Sequence, residues 1–559
     1  MKKFLSILLT LLVTAQLAAC TVAGGNSNTE STESNSQSIS SSAEANSQPE
    51  ESSGGIVRVA LKADTPTVDP QGKTPTTDTA GILNHIFEGL VRVRGNEILP
   101  GIAETWDISN DGLVYTFHLR DANWSDGQPV TADDFVYGMQ RLVNPETATN
   151  NAAQGFYILN GRAVNAGEKP MEELGVKALD DKTLEVTLEN PTAYFLSLCG
   201  QYFYMPVRED IHQQYGTEFA SSADTNIYNG PFTLKEWRVE EKLVLERNPN
   251  YWDAEAVKLD GIEYQIVNNV DTGAAMFDAD QVDFVPEINP EMLALYEGQT
   301  IEYDTGKLSY IRFNMDGSNK ITANKNFRKA FAAAFDRTEF CQLYMNGIYP
   351  PNGRFTSQSI AGADGSYTEE HPYDFPVTAD LETAKEYLDK ALEELGLSAP
   401  SDITLEIMTR DSESDRKVGT IVQDMMLKNL GINITVRSIP ATEWLEEHKN
   451  HTYELSYNGN GPDYNDPFTY LELYVSNFSG NHSSYNNPEY DRLITEANAE
   501  TDPQKRMDLL FDAEMLLVED VVGVPTVTTY AYALCKPNLK DVQLGFQSPS
   551  PDFVYAYYE

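Results

Sequence analysis

Cysteine is scarce in this chain, which has 4 of them among 559 residues. Cys199, Cys341 and Cys535 form no CxxC pair and no zinc-binding pattern, and all three sit among apolar residues. We therefore expect buried small side chains rather than a disulfide framework. Positive charge is scarce as well, because 40 Lys and Arg stand against 85 Asp and Glu, and the formal net charge is -45. Such a surface repels nucleic acid and anionic membranes, so neither is an expected partner.

Catalytic motifs are also missing. The chain contains no GxSxG, HExxH, Walker or GxGxxG pattern. His448 and His451 are three residues apart and could hold a metal, but no third ligand is evident. Segment 121–127 resembles a calcium loop, yet its Gly comes one place late and no Glu closes it, so we expect a tight turn. The sequence predicts a protein that is not an enzyme and has neither metal nor other cofactor, with a secreted hydrolase as the alternative from another class.

Long apolar runs are limited to the amino terminus. Residues 4–13 are almost entirely apolar, follow two lysines and lead to Leu17-Ala18-Ala19-Cys20. A short apolar run behind two lysines predicts a signal peptide, residues 1–19, rather than a membrane span. The segment that ends in Cys20 resembles a bacterial lipobox, which implies cleavage before Cys20 and a diacylated thiol. An ordinary signal peptide with an incidental Cys is the alternative.

The segment after the predicted cleavage point has little to bury. Residues 20–55 consist mostly of Ser, Asn, Thr, Glu and Gln, contain no Lys or Arg, and end in Gly-Gly. A chain of this composition cannot form a packed core. We predict a disordered tether that lets a globular body reach past the membrane surface.

From residue 56 onward strands and helices are mixed, which predicts an α/β protein. Alternating or apolar runs indicate strands at Ile56–Leu61, Val114–Leu119, Thr183–Leu188, Thr404–Met408 and Ile432–Val436. Helical spacing and capping residues indicate a helix capped by Thr131 and further helices at Asn326–Arg337, Thr378–Leu395, Arg416–Leu430 and 503–519.

A series of short motifs follows in a fixed order. They are Ile86-Phe87-Glu88-Gly89-Leu90-Val91, Pro100-Gly101-Ile102-Ala103-Glu104-Thr105-Trp106, Tyr115-Thr116-Phe117-His118-Leu119-Arg120, Trp124-Ser125-Asp126-Gly127, Thr131-Ala132-Asp133-Asp134-Phe135-Val136, Asn229-Gly230-Pro231-Phe232, Asn248-Pro249-Asn250-Tyr251-Trp252, Arg312-Phe313-Asn314, Arg328-Lys329-Ala330 and Asp463-Tyr464-Asn465-Asp466-Pro467. This succession closely resembles the solute-binding family 5 proteins, the large peptide-binding lipoproteins of ABC importers. The resemblance covers about residues 56–525.

The resemblance implies a three-lobed, periplasmic-binding-protein-like (type II) α/β fold with a cleft between two closing lobes. Lobe I would combine residues 56–75, 206–306 and 527–559. Lobe II would be an insertion at 76–205, and lobe III would span 307–526. It also implies a monomer outside the cytoplasm, anchored to the cell membrane through lipidated Cys20, that captures short peptides and delivers them to ABC transporter permease subunits.

Loop 458–464 is rich in Gly and Asn, and its exposed backbone could pair with an extended peptide. Gly459 lies in this loop, and we expect the region near Thr65 to pair with the same peptide. The Asp that matches Asp463 in the family receives the peptide α-amino group, whereas an ordinary turn residue is the alternative. Trp444 matches a family tryptophan that walls a side-chain pocket, and a core aromatic is its alternative.

Four positions of the expected ligand site depart from the family pattern. Asn460 and Gly461 stand where peptide binders often have Trp and Cys, and Asn151 stands where they often have Tyr. Tyr457 replaces an Arg that meets some peptide C-termini. Peptide length and side-chain preference therefore do not carry over. A non-peptide solute, or a role as receptor for a peptide signal, remains open.

Overall fold

A ten-stranded mixed sheet organises the part of the chain that the computed structural model describes, which is residues 54–73, 77–94, 97–545 and 550–559. The predicted signal peptide, Cys20 and nearly all of the tether lie outside the described residues. The strands of the described part are β1 (Ile56–Leu61), β2 (Val91–Arg94), β3 (Glu97–Pro100), β4 (Ala103–Ile108), β5 (Val114–Leu119), β6 (Val176–Asp180), β7 (Thr183–Thr187), β8 (Phe232–Arg238), β9 (Lys242–Arg247), β10 (Gly261–Ile266), β11 (Phe284–Val285), β12 (Thr300–Phe313), β13 (Thr404–Arg410), β14 (Asn433–Ile439), β15 (Leu455–Asn460), β16 (Gly523–Cys535), β17 (Leu539–Lys540) and β18 (Tyr557–Tyr558).

The α-helices lie between these strands in chain order. They are α1 (Thr77–Ile86), α2 (Ala132–Val143), α3 (Gly161–Asn165), α4 (Phe195–Cys199), α5 (Glu209–Tyr215), α6 (Val270–Asp278), α7 (Lys320–Ala323), α8 (Lys325–Ala334), α9 (Arg337–Met345), α10 (Tyr367–Glu370), α11 (Leu381–Leu395), α12 (Glu413–Leu430), α13 (Ala441–Lys449), α14 (Phe468–Leu471), α15 (Pro488–Ala499) and α16 (Pro503–Asp520). In the described part of the chain, no helix is both long and apolar enough to cross a membrane.

The large sheet has the strand order β14-β13-β15-β12-β16-β11-β1-β10-β9-β8. One end contains the parallel strands β13, β14 and β15, and the other contains β1 in parallel pairing with β10 and β11. The long antiparallel strands β12 and β16 connect the two ends. A separate antiparallel sheet, β4-β5-β7-β6, falls within the range predicted for lobe II. The lobe boundaries themselves stay a prediction.

The connection between the two ends is irregular at its centre. The register of β12 against β16 shifts between Asp304 and Leu308. Gly306, inside this shift, has a φ of 67°, which a residue with a side chain rarely adopts. Such a bulge bends a strand and increases its twist. The two ends of the sheet therefore meet across a bent pair of strands.

Most predicted elements agree with the structure to within a few residues. The strands predicted at Ile56–Leu61 and Val114–Leu119 have those bounds, and the helix predicted at Arg416–Leu430 begins three residues earlier. The helix predicted at Asn326–Arg337 corresponds to α8, which ends at Ala334, and Arg337 is already the first residue of α9. Its continuous helical spacing hid the break, where the Asp336 side chain accepts from the backbone N–H of Glu339 and caps α9.

The three cysteines of the described part are free and buried. Their burial raises the pKa of all three thiols, to about 12 for Cys341 and to about 11 for Cys535. A high thiol pKa leaves little reactive thiolate at neutral pH. Cys199, Cys341 and Cys535 therefore serve as small core residues in this structure.

Candidate ligand-binding cleft

The carboxyl-terminal half of β15 has an open edge. On one side, residues 457–460 pair with β12, from Leu308↔Asn460 to Ile311↔Tyr457. On the other side, β13 pairs with β15 only at Leu455 and Ser456. Among the described residues, no strand covers the second side of residues 457–460. Unpaired N–H and C=O groups in a row can accept an extended chain as an added strand.

Asp463 follows this open edge. Its backbone N–H donates to Thr469 Oγ1 at 3.0 Å, which fixes the turn. The side chain is exposed, and partial desolvation raises its pKa. Within the described part of the chain, no Lys or Arg nitrogen lies within 4.0 Å of this carboxylate, although many surface acids have such a partner.

A second carboxylate lies behind the same turn. Glu472 is half-buried and accepts a hydrogen bond from the Tyr464 hydroxyl at 3.0 Å. Burial, together with the charges of Asp463 and Asp466, raises its pKa to about 7. No cation of the described residues pairs with Glu472 either. This end of the cleft therefore holds two carboxylates without counter-ions.

Stacked tyrosines pack beside these carboxylates. The rings of Tyr194 and Tyr464 lie 3.8 Å apart and nearly parallel, and Tyr157 meets Tyr194 edge-on at 5.8 Å. Tyr194 and Tyr157 belong to the range predicted for lobe II, and Tyr464 to that predicted for lobe III. Both stacked rings are buried, so they support the turn that carries Asp463 and connect the two predicted lobe ranges.

Two cations, Lys307 and Arg410, lie near the open edge of β15. Lys307 lies across Gly459: a Cβ added to Gly459 would meet Lys307 Cε at 3.0 Å. Desolvation and the nearby charge of Arg410 lower the pKa of Lys307. Arg410 ends β13 and holds Asp415 at 2.6 Å. Lys307 has no carboxylate partner among the described residues, so a ligand carboxylate would find an unpaired cation here.

Trp444 stands beside Arg410, whose guanidinium carbon is 5.5 Å from the Trp444 ring centroid. The indole is half-buried and packs on His448 at 3.9 Å, in a small core with Tyr453. Its Nε1–H has no hydrogen-bond acceptor in the described structure. Both interpretations of Trp444, pocket wall and core aromatic, are compatible with this position.

A cavity of about 490 Å³ opens at the opposite end of the sheet. It lies at the carboxyl ends of the parallel strands β1, β10 and β11, which is where open α/β sheets bind ligands. Its walls are largely apolar, with charged groups at its mouth; the residues are Ala60, Lys62, Ala63, Asp78, Val267, Asn269, Val270, Gly273, Val285, Pro286, Glu287, Tyr303, Thr305 and Ala531. Thr305 lies on β12 three residues before Leu308, so roughly 10 Å of strand separates this cavity from the open edge.

The remaining residues predicted for the site lie in mixed positions. The Tyr457 side chain is buried on the face of the sheet opposite Asn458 and Asn460, so only its backbone reaches the open edge. Gly461 is exposed, with open space where a Cβ would stand. The N–H of Thr65 already donates to the Asp64 carboxylate at 2.8 Å. Asn151 donates to the Tyr202 hydroxyl, and no described contact brings it to Asp463.

Sequence reasoning missed Lys307, Arg410 and Glu472. They are single charged residues in ordinary surroundings of the sequence, and no motif marks them. Lys307 lies within β12, Arg410 is the last residue of β13 and Glu472 follows α14. Whether such a charge has a partner depends on contacts that form only in the folded structure.

The histidines suggested as a metal site do not form one. His448 Nδ1 donates to the backbone oxygen of Trp444 and its ring lies 5.9 Å from that of His482, while His451 contacts Ser484 Oγ. Burial and the charge of Arg312 lower the pKa of His448 to about 3. Within the described residues, no group of three His, Cys, Asp or Glu side chains is arranged to hold a metal ion.

Comparison with known proteins places the chain in a family. Residues 97–482 match the bacterial extracellular solute-binding proteins, family 5. The dipeptide-binding protein DppE of Bacillus subtilis is 34% identical over 454 residues, which is 80% of this chain and 82% of DppE. The chain belongs to the family 5 solute-binding proteins, as its motifs predicted.

Solved structures agree with this assignment. The unliganded open form of MppA, a periplasmic murein tripeptide binding protein, superimposes with a TM-score of 0.81 at 27% identity and covers 91% of this chain and 99% of its own. The oligopeptide-binding protein OppA of Listeria monocytogenes, bound to peptide, gives a TM-score of 0.67 at 32% identity, with 90% and 99% covered. The predicted α/β fold of the type II periplasmic peptide-binding proteins is confirmed.

Proposed function

We propose that this protein captures short peptides outside the cytoplasm and delivers them to the permease of an ABC importer. The observation that carries the proposal is the open edge of β15, followed directly by the unpaired carboxylate of Asp463. A peptide brings both complements: a backbone that can pair with an edge and an α-ammonium group with three donors. The names of DppE and of the peptide-bound OppA describe the same ligand class.

Asp463 receives the α-amino group of the peptide. Residues 457–460 bind the peptide backbone as an added strand, and the contribution of Thr65 is limited to groups other than its N–H, which is already bonded. Glu472 adds a second negative charge behind Asp463. Lys307 and Arg410 favour the ligand carboxylate at the far side of Gly459. The apolar cavity on β1 and β10 accepts a side chain when the two ends of the sheet approach each other.

The conformation resembles the open form of a relative. Its similarity to an unliganded open form is higher, at a TM-score of 0.81, than to a peptide-bound relative, at 0.67. The irregular β12–β16 connection around Gly306 supplies the bend at which the lobes would rotate. The protein acts as a monomer without turnover, so a bound peptide should be recovered intact by mass spectrometry after long incubation. Time-dependent cleavage would contradict this.

A double cycle in calorimetry tests the site. The tripeptide Ala-Leu-Ala and its N-acetylated form are titrated into the wild type and into Asp463→Asn. Removing one partner from a desolvated ion pair typically costs about 3–5 kcal/mol, or roughly two to three powers of ten in affinity. Acetylation and the substitution should each cause this loss.

The two losses should not add, because both remove the same contact. Additive losses, or acetylated peptide that binds as well as free peptide, would contradict the role of Asp463. A C-terminally amidated peptide provides a third arm: it should bind more weakly than the free acid to the wild type, and Lys307→Met should abolish that difference.

The anchor is a separate part of the proposal. The lipobox-like Leu17-Ala18-Ala19-Cys20 supports a diacylated Cys20 that holds the protein at the cell membrane. Cys20→Ala should release the protein into the medium while Ala-Leu-Ala binding stays unchanged. A variant that remains in the membrane fraction would contradict the lipid anchor without affecting the binding proposal.

A further inference from the structure

Seven arginine side chains are buried in the described residues, and one of them is bonded unlike the others. Four form ion pairs with a carboxylate: Arg92, Arg141, Arg354 and Arg506. Arg328 and Arg337 have no acid within reach, but each donates several hydrogen bonds to backbone carbonyls. Arg312 has neither kind of partner. A buried charge without compensation is costly, so its position requires an explanation.

Arg312 is directed at a tyrosine hydroxyl. Its Nη2 donates to Tyr310 Oη at 2.6 Å, whereas Nε and Nη1 have no acceptor in the described structure. The two residues are 2% and 3% exposed and lie two apart on β12, so they share one face of the sheet. The guanidinium therefore places its positive charge next to the Tyr310 oxygen and holds that oxygen in the role of acceptor.

The Tyr310 oxygen also lies beside two asparagines at the open edge, 2.7 Å from Asn460 Nδ2 and 3.1 Å from Asn458 Nδ2. A hydroxyl oxygen accepts at most two hydrogen bonds, and Arg312 and the closer Asn460 occupy its two acceptor positions. An amide that donates through Nδ2 turns its carbonyl Oδ1 away from the acceptor. No hydrogen bond to either Oδ1 is present among the described residues. Asn460 is half-buried, and its Oδ1 is left without a hydrogen-bond partner among the described residues, three residues before Asp463.

We infer that Arg312 and Tyr310 are positioning residues that orient Asn460 so that its Oδ1 joins Asp463 in accepting the α-ammonium group of the peptide. If the Asn460 amide were reversed, its two N–H donors would face the ammonium group. The fixed orientation therefore favours a ligand that donates hydrogen bonds. The inference rests on the proposed function. It assigns ligand selection to two buried residues that do not touch the ligand.

Tyr310→Phe tests this inference, because it removes only the hydroxyl. Tyr204→Phe is the matched control: Tyr204 is fully buried, but its hydroxyl donates to the backbone oxygen of Gln154 at 2.7 Å and contacts neither Arg312 nor the two asparagines. The probes are Ala-Leu-Ala and N-acetyl-Ala-Leu-Ala in calorimetry, and melting temperatures of all three proteins show whether each variant folds. Loss of one oriented hydrogen bond should weaken the free peptide about tenfold in Tyr310→Phe.

The expected pattern is specific to the amino group. Tyr310→Phe should bind the acetylated peptide as the wild type does, and Tyr204→Phe should match the wild type for both peptides. Equal weakening of both peptides in Tyr310→Phe would show a merely structural role and overturn the inference. Unchanged binding of the free peptide would overturn it as well. A wild type that binds neither peptide would contradict the proposed function itself, and the inference with it.

Discussion

Two aspartates three residues apart in one motif occupy opposite situations. Asp466 is 4% exposed, and its two oxygens accept from the Arg506 guanidinium at 2.5 and 2.9 Å. It also accepts from the backbone N–H of Phe468. Asp463 is exposed to the cleft, has no cation among the described residues and has a raised pKa. The same residue type thus stabilises the fold at Asp466 and is free to bind a ligand at Asp463.

This difference gives a criterion for separating structural acids from ligand-binding acids. A carboxylate that pairs with a cation of the same chain is compensated in the folded protein. Its burial therefore costs little free energy. A carboxylate on a concave surface without a cation makes the empty protein less stable and the loaded protein more stable. Lys307 is the cationic counterpart, since desolvation and the charge of Arg410 lower its pKa and no carboxylate of the described residues lies within ion-pair distance of it.

The largest effect should follow from Asp466→Asn. The substitution keeps the volume but leaves Arg506 buried and unpaired, which should lower the free energy of unfolding by about 3–5 kcal/mol. Denaturant unfolding of the peptide-free protein measures this. Asp463→Asn is the control and should not destabilise. Equal stability of Asp466→Asn and the wild type would remove the distinction between the two aspartates.

A pH dependence of binding is the next effect in size. Asp463 must be ionised to hold an ammonium group, and its pKa in the free protein is raised. Peptide affinity should therefore fall as the pH drops through that pKa, approaching tenfold per pH unit below it. Calorimetry of Ala-Leu-Ala from pH 8 to pH 4 measures the slope, and Asp463→Asn should flatten it. A wild-type affinity that does not change between pH 8 and pH 4 would contradict a direct contact between Asp463 and the ammonium group.

Glu472 should add a smaller pH effect at higher pH. Its pKa of about 7 means that it gains charge as the pH rises through neutrality, and this charge favours a bound cation. Affinity should thus increase a few-fold between pH 6 and pH 8. Glu472→Gln should remove this upper step and keep the lower one that Asp463 produces. If both steps disappear together, the two carboxylates titrate as one coupled pair.

Sequence reasoning recovered the family, the fold and Asp463 as a candidate, because each depends on local patterns. Period-two alternation located β5, and a motif of five residues marked both aspartates. The motif did not tell which aspartate is paired, since Arg506 lies 40 residues further along the chain. Likewise Tyr457 and Asn458 are neighbours in sequence, but opposite faces of a strand send one side chain to the core and the other to Tyr310.

The smallest predicted effect is a change in melting temperature, and its sign tells whether Asp463 serves the fold or the ligand. Asp463 has a higher pKa in the folded protein than in the unfolded chain, so the folded state binds more protons in that interval. Stability from this group is therefore lost as the pH rises through the interval, and at pH 7 the ionised carboxylate opposes folding.

Asp463→Asn should raise the melting temperature of the peptide-free protein at pH 7, on the order of 1–2 °C. The two melting temperatures should converge below the unfolded pKa, near pH 4. With saturating Ala-Leu-Ala the order should reverse, because only the wild type gains the full stabilisation by ligand. A lower melting temperature of peptide-free Asp463→Asn would assign this aspartate to the fold, together with Asp466.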